Sequence, residues 1–160
     1  MGGAARPLLL ALALGALAVG CGGEDEAEGS DSSPTTRAVT FQADTGTKGE
    51  VLLDLGGLTL KGYCRLQDGR IHLAVTATTA TDDAVLGSRF SQRYSPYTFV
   101  LDDFDRNFGE YDVMGKASDE TAGTLNYMPS DGGQVVVDYA AAQDTAQGAC
   151  AFGGVATYAP

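Results

Sequence analysis

Residues 101–112 read LDDFDRNFGEYD, the densest run of carboxylates in the chain. Hard oxygen ligands at alternate positions are what calcium takes. Asp103, Asp105 and Asn107 form such a set and are the candidate metal ligands. Two carboxylates can also divide acid and base work in glycoside hydrolysis, but nothing in the spacing singles out a pair. The chain holds one histidine, His72. A nucleophilic triad needs it beside a serine and a carboxylate, and no G-x-S-x-G elbow exists. A second cluster, RFSQRYSPYTF over 89–99, interleaves aromatics with arginines. Arg93, Tyr94 and Tyr97 there form a candidate binding surface, since rings with polar tips suit sugar stacking or partner docking.

Each signal is incomplete as chemistry. Against a helix-flanked calcium loop, Phe108 stands where the sharp turn needs glycine, and Met114 where a bidentate glutamate belongs. Zinc is poorly served by one histidine and by cysteines expected to be oxidised. No catalytic constellation emerges, so the expectation is a protein that is not an enzyme. No cofactor signature is present, and calcium at the acidic run is the one metal reading.

The elements that must position these residues read as strands, because apolar residues alternate with a period of two. In LTLKGYCRL, Leu58, Leu60, Gly62, Cys64 and Leu66 share a face. In IHLAVTAT, Ile71, Leu73, Val75 and Ala77 share another. Asp68-Gly69 between them suits a two-residue type I′ turn. That turn pairs Leu66 with Ile71, Arg65 with His72 and Cys64 with Leu73, inward against inward. A three-residue loop Asp131-Gly132-Gly133 predicts a second hairpin, with Tyr127 opposite Val137 and Leu125 opposite Tyr139. Further strands are expected at 39–43, 50–55, 84–91, 97–101, 111–114 and 149–158. The alanine-rich DYAAAQDTAQ has room for a turn of helix. The fold class is therefore all-β: an antiparallel β-sandwich, or flattened barrel, of about eight or nine strands.

The chain begins with one positive charge at Arg6, then the apolar run PLLLALALGALAV, then GCGG. This is the order of a secretory signal peptide, and its core is short for a membrane span. LAVGC, ending at Cys21, resembles the lipobox of bacterial lipoproteins, with Ala18 where that motif commonly has leucine. The resemblance implies cleavage before Cys21 and lipidation of its thiol. Residues 1–20 are then a cleaved signal peptide, and 21–37, rich in Gly, Ser and acid, a disordered tether. One domain remains, 38–160, with 8 cations against 16 acids and a formal charge of −8. Such a surface repels nucleic acid. The implied address is the extracytoplasmic face of the cell membrane. The lipid anchor is the membrane contact, and the partner is an unspecified protein, glycan or lipid. With Cys21 lipidated, Cys64 and Cys150 are an even pair in an oxidising compartment and are predicted to form a disulfide.

LGGLTLKGYC, ATTATDDAV, DDFD, GTLNYMPSDGGQVVVDY and CAFGGVATY together resemble a group of uncharacterised, secreted, all-β actinobacterial proteins. The resemblance agrees with the strand reading and the cysteine pairing, and implies no activity. The functional expectation is a surface interaction or cell-envelope module. The alternative is a carrier that holds a small apolar or lipid ligand in a sandwich or barrel cavity.

Overall fold

The computed structural model describes residues 33–92, 95–115, 120–144 and 146–160. The signal segment, Cys21, Arg93 and Tyr94 lie outside the described residues. Ten strands follow one another: β1 (Thr35–Asp44), β2 (Thr47–Leu55), β3 (Leu58–Gln67), β4 (Arg70–Thr79), β5 (Ala84–Gln92), β6 (Ser95–Phe104), β7 (Tyr111–Asp112), β8 (Glu120–Met128), β9 (Gln134–Asp144) and β10 (Ala149–Ala159). They form two antiparallel sheets. Sheet A runs β1-β10-β9-β8-β5-β6, and sheet B runs β2-β3-β4-β7. Each sheet keeps two edge strands, so the architecture is a sandwich and not a closed barrel. Pairing with β10 begins at Thr35, so strand structure takes in the last three residues of the expected tether.

The apolar face predicted by alternation is the buried one up to Cys64, but Leu66, expected inward, is 65 % exposed, because it lies at the turn end of β3, past the covered stretch. Leu58, Leu60, Leu73 and Val75 of sheet B meet Leu86, Leu125, Tyr127 and Val137 of sheet A in one core. The β3–β4 register is the predicted one, with Leu66 opposite Ile71 and Cys64 opposite Leu73. Asp68 and Gly69 both have positive φ, at 52° and 74°, as the type I′ turn requires. The disulfide also forms: Cys64 on β3 and Cys150 on β10 join the two sheets, with Cα atoms 5.7 Å apart.

Three local expectations need correction. In the β8–β9 hairpin, Leu125 faces Val137 and Tyr127 faces Val135. The loop is therefore five residues, 129–133. Pro129 cannot donate to a ladder, Ser130 Oγ donates instead to the Asp82 carbonyl at 2.7 Å, and Gly132 and Gly133 carry the positive φ. The shift of two residues leaves every inward side chain inward. The alanine-rich segment is strand, not helix, because Ala140–Ala142 pair with β8 on one side and β10 on the other, and tertiary pairing overrides propensity. Of the expected strand 111–114, only Tyr111 and Asp112 pair with β4. Asp112 Oδ1 then accepts from the Met114 and Gly115 amides, both at 3.0 Å, and turns the chain away.

Candidate functional site

The β4–β5 loop and the β6–β7 loop meet at one end of the sandwich. Arg106 forks onto Asp82, with Nε donating to Oδ1 at 2.9 Å and Nη2 to Oδ2 at 2.6 Å. The guanidinium holds the Asp82 carboxyl below its usual range. Asp83, in a left-handed conformation at φ 55°, turns its amide to donate to Asp105 Oδ1 at 2.8 Å. This brings a carboxylate oxygen from each of Asp83, Asp103 and Asp105 within 4.8 Å of one another. The Asp103 carboxyl is raised by the facing charge of Asp105, then by desolvation, Asp83 and Asp102. Three such oxygens can supply part of a calcium shell, which takes six to eight oxygen ligands. Asp103 and Asp105 of the sequence-derived set are thus brought together. Asn107 is exposed in the turn that follows. Asp83 was missed, because its approach depends on the packing of two loops distant in sequence.

The aromatic cluster divides. Phe90 is buried, while Tyr97 stacks on it at 5.4 Å and remains 48 % exposed. Phe99 tilts onto Tyr111 at 5.1 Å, and Phe108 meets the same Tyr111 ring at 5.9 Å. The rings run along the side of the sandwich formed by β6 and β7, the outermost strands of their sheets. Of the candidate surface, Tyr97 is the member that the structure describes.

A third polar group was not anticipated. On the outer face of sheet B, Glu110 receives the Tyr63 hydroxyl at 2.7–2.8 Å, Lys61 Nζ at 2.9 Å and Thr76 Oγ1 at 3.2 Å. Those bonds, the tyrosine's first, lower the Glu110 carboxyl and raise Tyr63 and Lys61. The Tyr63 ring lies against Gly49, where a Cβ would fall 2.5 Å from it. The Arg65 guanidinium covers the ring at 4.1 Å from its centroid. All four bonding groups are occupied with one another, and they anchor the end of the β6–β7 loop on the sheet. Alternation had placed Lys61, Tyr63 and Arg65 on one polar face. What it lacked was the return of Glu110 to that face. His72 lies opposite Arg65 on β4, as the hairpin register requires, away from any triad partner in the ladder.

Among the described residues, the hydroxyls of Ser88, Thr121 and Tyr139 are buried inside sheet A without a hydrogen bond. Ser88 lies near enough to Tyr139 to favour its ionised form slightly, yet the two hydroxyls do not reach hydrogen-bond geometry. Burial dominates and pushes the phenol up. Asp112, nearby, is itself raised by desolvation of its carboxyl, against the two amides that it accepts from. Across sheet A, Thr40, Gly153, Ala140 and Ala122 form one cross-strand row of small side chains. The row helps to line a cavity of about 1020 Å³, with Glu50 and Glu120 also on its walls.

No family model, no curated protein and no solved structure matches this chain.

Proposed function

We propose that this protein is a non-enzymatic interaction module. It is held by lipid on Cys21 at the extracytoplasmic face of the cell membrane and binds its partner through its outer surface. The observation that carries the reading is the filled space between the sheets. Leu58, Leu60, Leu73, Leu86, Phe104, Leu125 and Tyr127 are all less than 2 % exposed there. Interiors at close-packed density leave no place for a guest. The acidic domain keeps nucleic acid off. The partner is a protein, glycan or lipid. Two or more acyl chains on Cys21 give a stable anchor where one would not.

A carrier is the second reading, and the cavity of about 1020 Å³ on sheet A favours it, since pockets for small ligands fall in that size range. Native mass spectrometry of the full chain, released in detergent, separates the two. The expected mass is the chain from Cys21 with acyl groups, less two hydrogens for Cys64–Cys150, and nothing else. A stoichiometric extra apolar molecule overturns the module in favour of the carrier.

A further inference from the structure

Sheet edges are templates for strand addition, and proteins normally block them with charge, proline, bulges or brevity. Two of the four edges here are blocked. On β2 the register breaks twice, and Lys48, Glu50 and Asp54 sit along it. β7 is two residues long. β1 is held at one corner only, where Arg37 donates to the Asp54 carbonyl of β2 at 3.4 Å, and its large side chains Val39 and Phe41 are buried in the core rather than exposed. The fourth edge, β6, is ten residues long and, among the described residues, paired only with β5. Its centre, Tyr97–Leu101, reads YTFVL: uncharged, aromatic and β-branched. Val100 is 64 % and Tyr97 48 % exposed. Its charges, Asp102 and Asp103, its proline, Pro96, and its one break of register against β5, between Leu101 and Phe104, lie at the ends.

We infer that β6 is a self-association edge, and that its partner is the β6 strand of a second copy, paired antiparallel about a two-fold axis at Phe99. The segment is complementary to itself in that register. Tyr97 faces Leu101 of the second copy, Thr98 faces Val100, and Phe99 faces Phe99. The acids fall opposite neutral residues, Asp102 against Pro96 and Asp103 against Ser95, so no like charges are opposed. Proline is tolerated on an edge where its missing N–H would point to solvent. That phase turns the free backbone groups of Thr98 and Val100 outward, and these two residues exchange the central hydrogen bonds. A two-fold pairing consumes the β6 edge of each molecule, so association through that edge stops at a dimer. A strand-edge contact alone is small and weak in solution. On a membrane, the anchor proposed above raises the effective concentration, and to that extent the inference deepens the surface-module reading.

Sedimentation equilibrium of the full chain in density-matched detergent tests it, with intact mass recorded in parallel. The wild type should show a monomer–dimer equilibrium as its concentration rises. Val100→Lys should weaken the dimer at least tenfold, by placing a charge at the pairing seam. Val100→Pro should abolish it while leaving the β5 ladder intact. Phe99→Cys, at the axis, should oxidise to a covalent dimer, whereas Val155→Cys, exposed on β10, should not. If Val100→Pro fails to fold, as circular dichroism would show, the lysine variant and the cross-link decide. A wild type that stays monomeric to about millimolar concentration overturns the inference, as do variants that dimerise like it. A dimer without acyl mass removes the anchor and keeps the edge. Acyl mass on a monomer does the reverse.

Discussion

Sheet A has two unlike halves. Over β1, β10 and β9 it is packed against sheet B, and the disulfide stitches the two together there. Over β5 and β6, the short segment around β7 adds to what meets its inner face: Tyr111 against Phe99, and Met114, whose carbonyl accepts from Gln92. The consequences follow the coverage. In the covered half Val39, Phe41, Val137 and Phe152 are buried and the sheets are covalently joined. In the other, Tyr97 stays half-exposed and the β6 edge is open. Stability is concentrated where two full sheets overlap, and the surface suited to binding is left where they do not.

The largest test of that contrast removes the stitch. Cys64 and Cys150 are 86 residues apart, and closing a loop of that size stabilises by about 4–5 kcal/mol in the chain-entropy model. Cys64→Ala with Cys150→Ala should lower the unfolding free energy by that amount in a denaturant titration. A loss below about 1 kcal/mol would mean that packing alone holds the covered half.

Two buried tyrosines sharpen the comparison. Tyr127 bonds Thr79 Oγ1 at 2.7 Å and Thr81 Oγ1 at 3.0 Å. Tyr139 has no hydrogen-bond partner for its hydroxyl. A satisfied buried bond contributes about 1–2 kcal/mol, whereas an unsatisfied hydroxyl costs free energy. Tyr127→Phe should therefore destabilise by about 1–2 kcal/mol, and Tyr139→Phe should be neutral or stabilise by up to about 1 kcal/mol. Equal losses from the two would remove the distinction between them.

Much of this was legible in the sequence, and the limits are physical. Alternation found the strands and most of the inward faces, because burial on one face imposes a period of two on Leu58–Cys64 and Ile71–Ala77; Leu66 keeps the period but is exposed at the turn. The Asp68-Gly69 turn fixed a register because positive φ at both positions admits few residues. The second hairpin slipped by two because Pro129 and a side-chain bond from Ser130 lengthened a loop that glycines alone made look short. Asp103 and Asp105 were visible as neighbours in sequence. Asp83, and the docking of Glu110 on Tyr63, depend on how separate loops return to a sheet. Strand order is long-range as well, so nothing local in YTFVL says that it forms an edge.

The Glu110 anchor gives a smaller effect with a pH signature. Its carboxyl is lowered in the folded state. The stability it adds is therefore present above the unfolded carboxylate pKa and fades as pH falls through the lower folded value. Tyr63 and Lys61 are raised, so their share is present below their unfolded values and fades as alkaline pH passes the folded ones. Tyr63→Phe should cost about 1 kcal/mol near neutral pH, held to that level by solvent screening, and much less at pH 2–3. A loss independent of pH would assign the effect to ring packing against Gly49 instead.

The smallest effect has the opposite sign and tests the acidic loops. The folded state raises the Asp103 carboxyl, so it holds that proton more tightly than the unfolded chain does. Stability must then fall as pH rises through the carboxylate range, because the ionised Asp103 faces Asp105 and Asp83. Asp103→Asn removes that repulsion while keeping the shape, so its melting temperature should lie slightly above wild type at pH 7 and converge with it at acid pH. The same variant bears on calcium. If millimolar calcium raises the melting temperature of the wild type but not of Asp103→Asn, the carboxylates are serving as ligands for the ion. If calcium moves neither, the three carboxylates are repelling neighbours, and Arg106 on Asp82 is what holds their loops together.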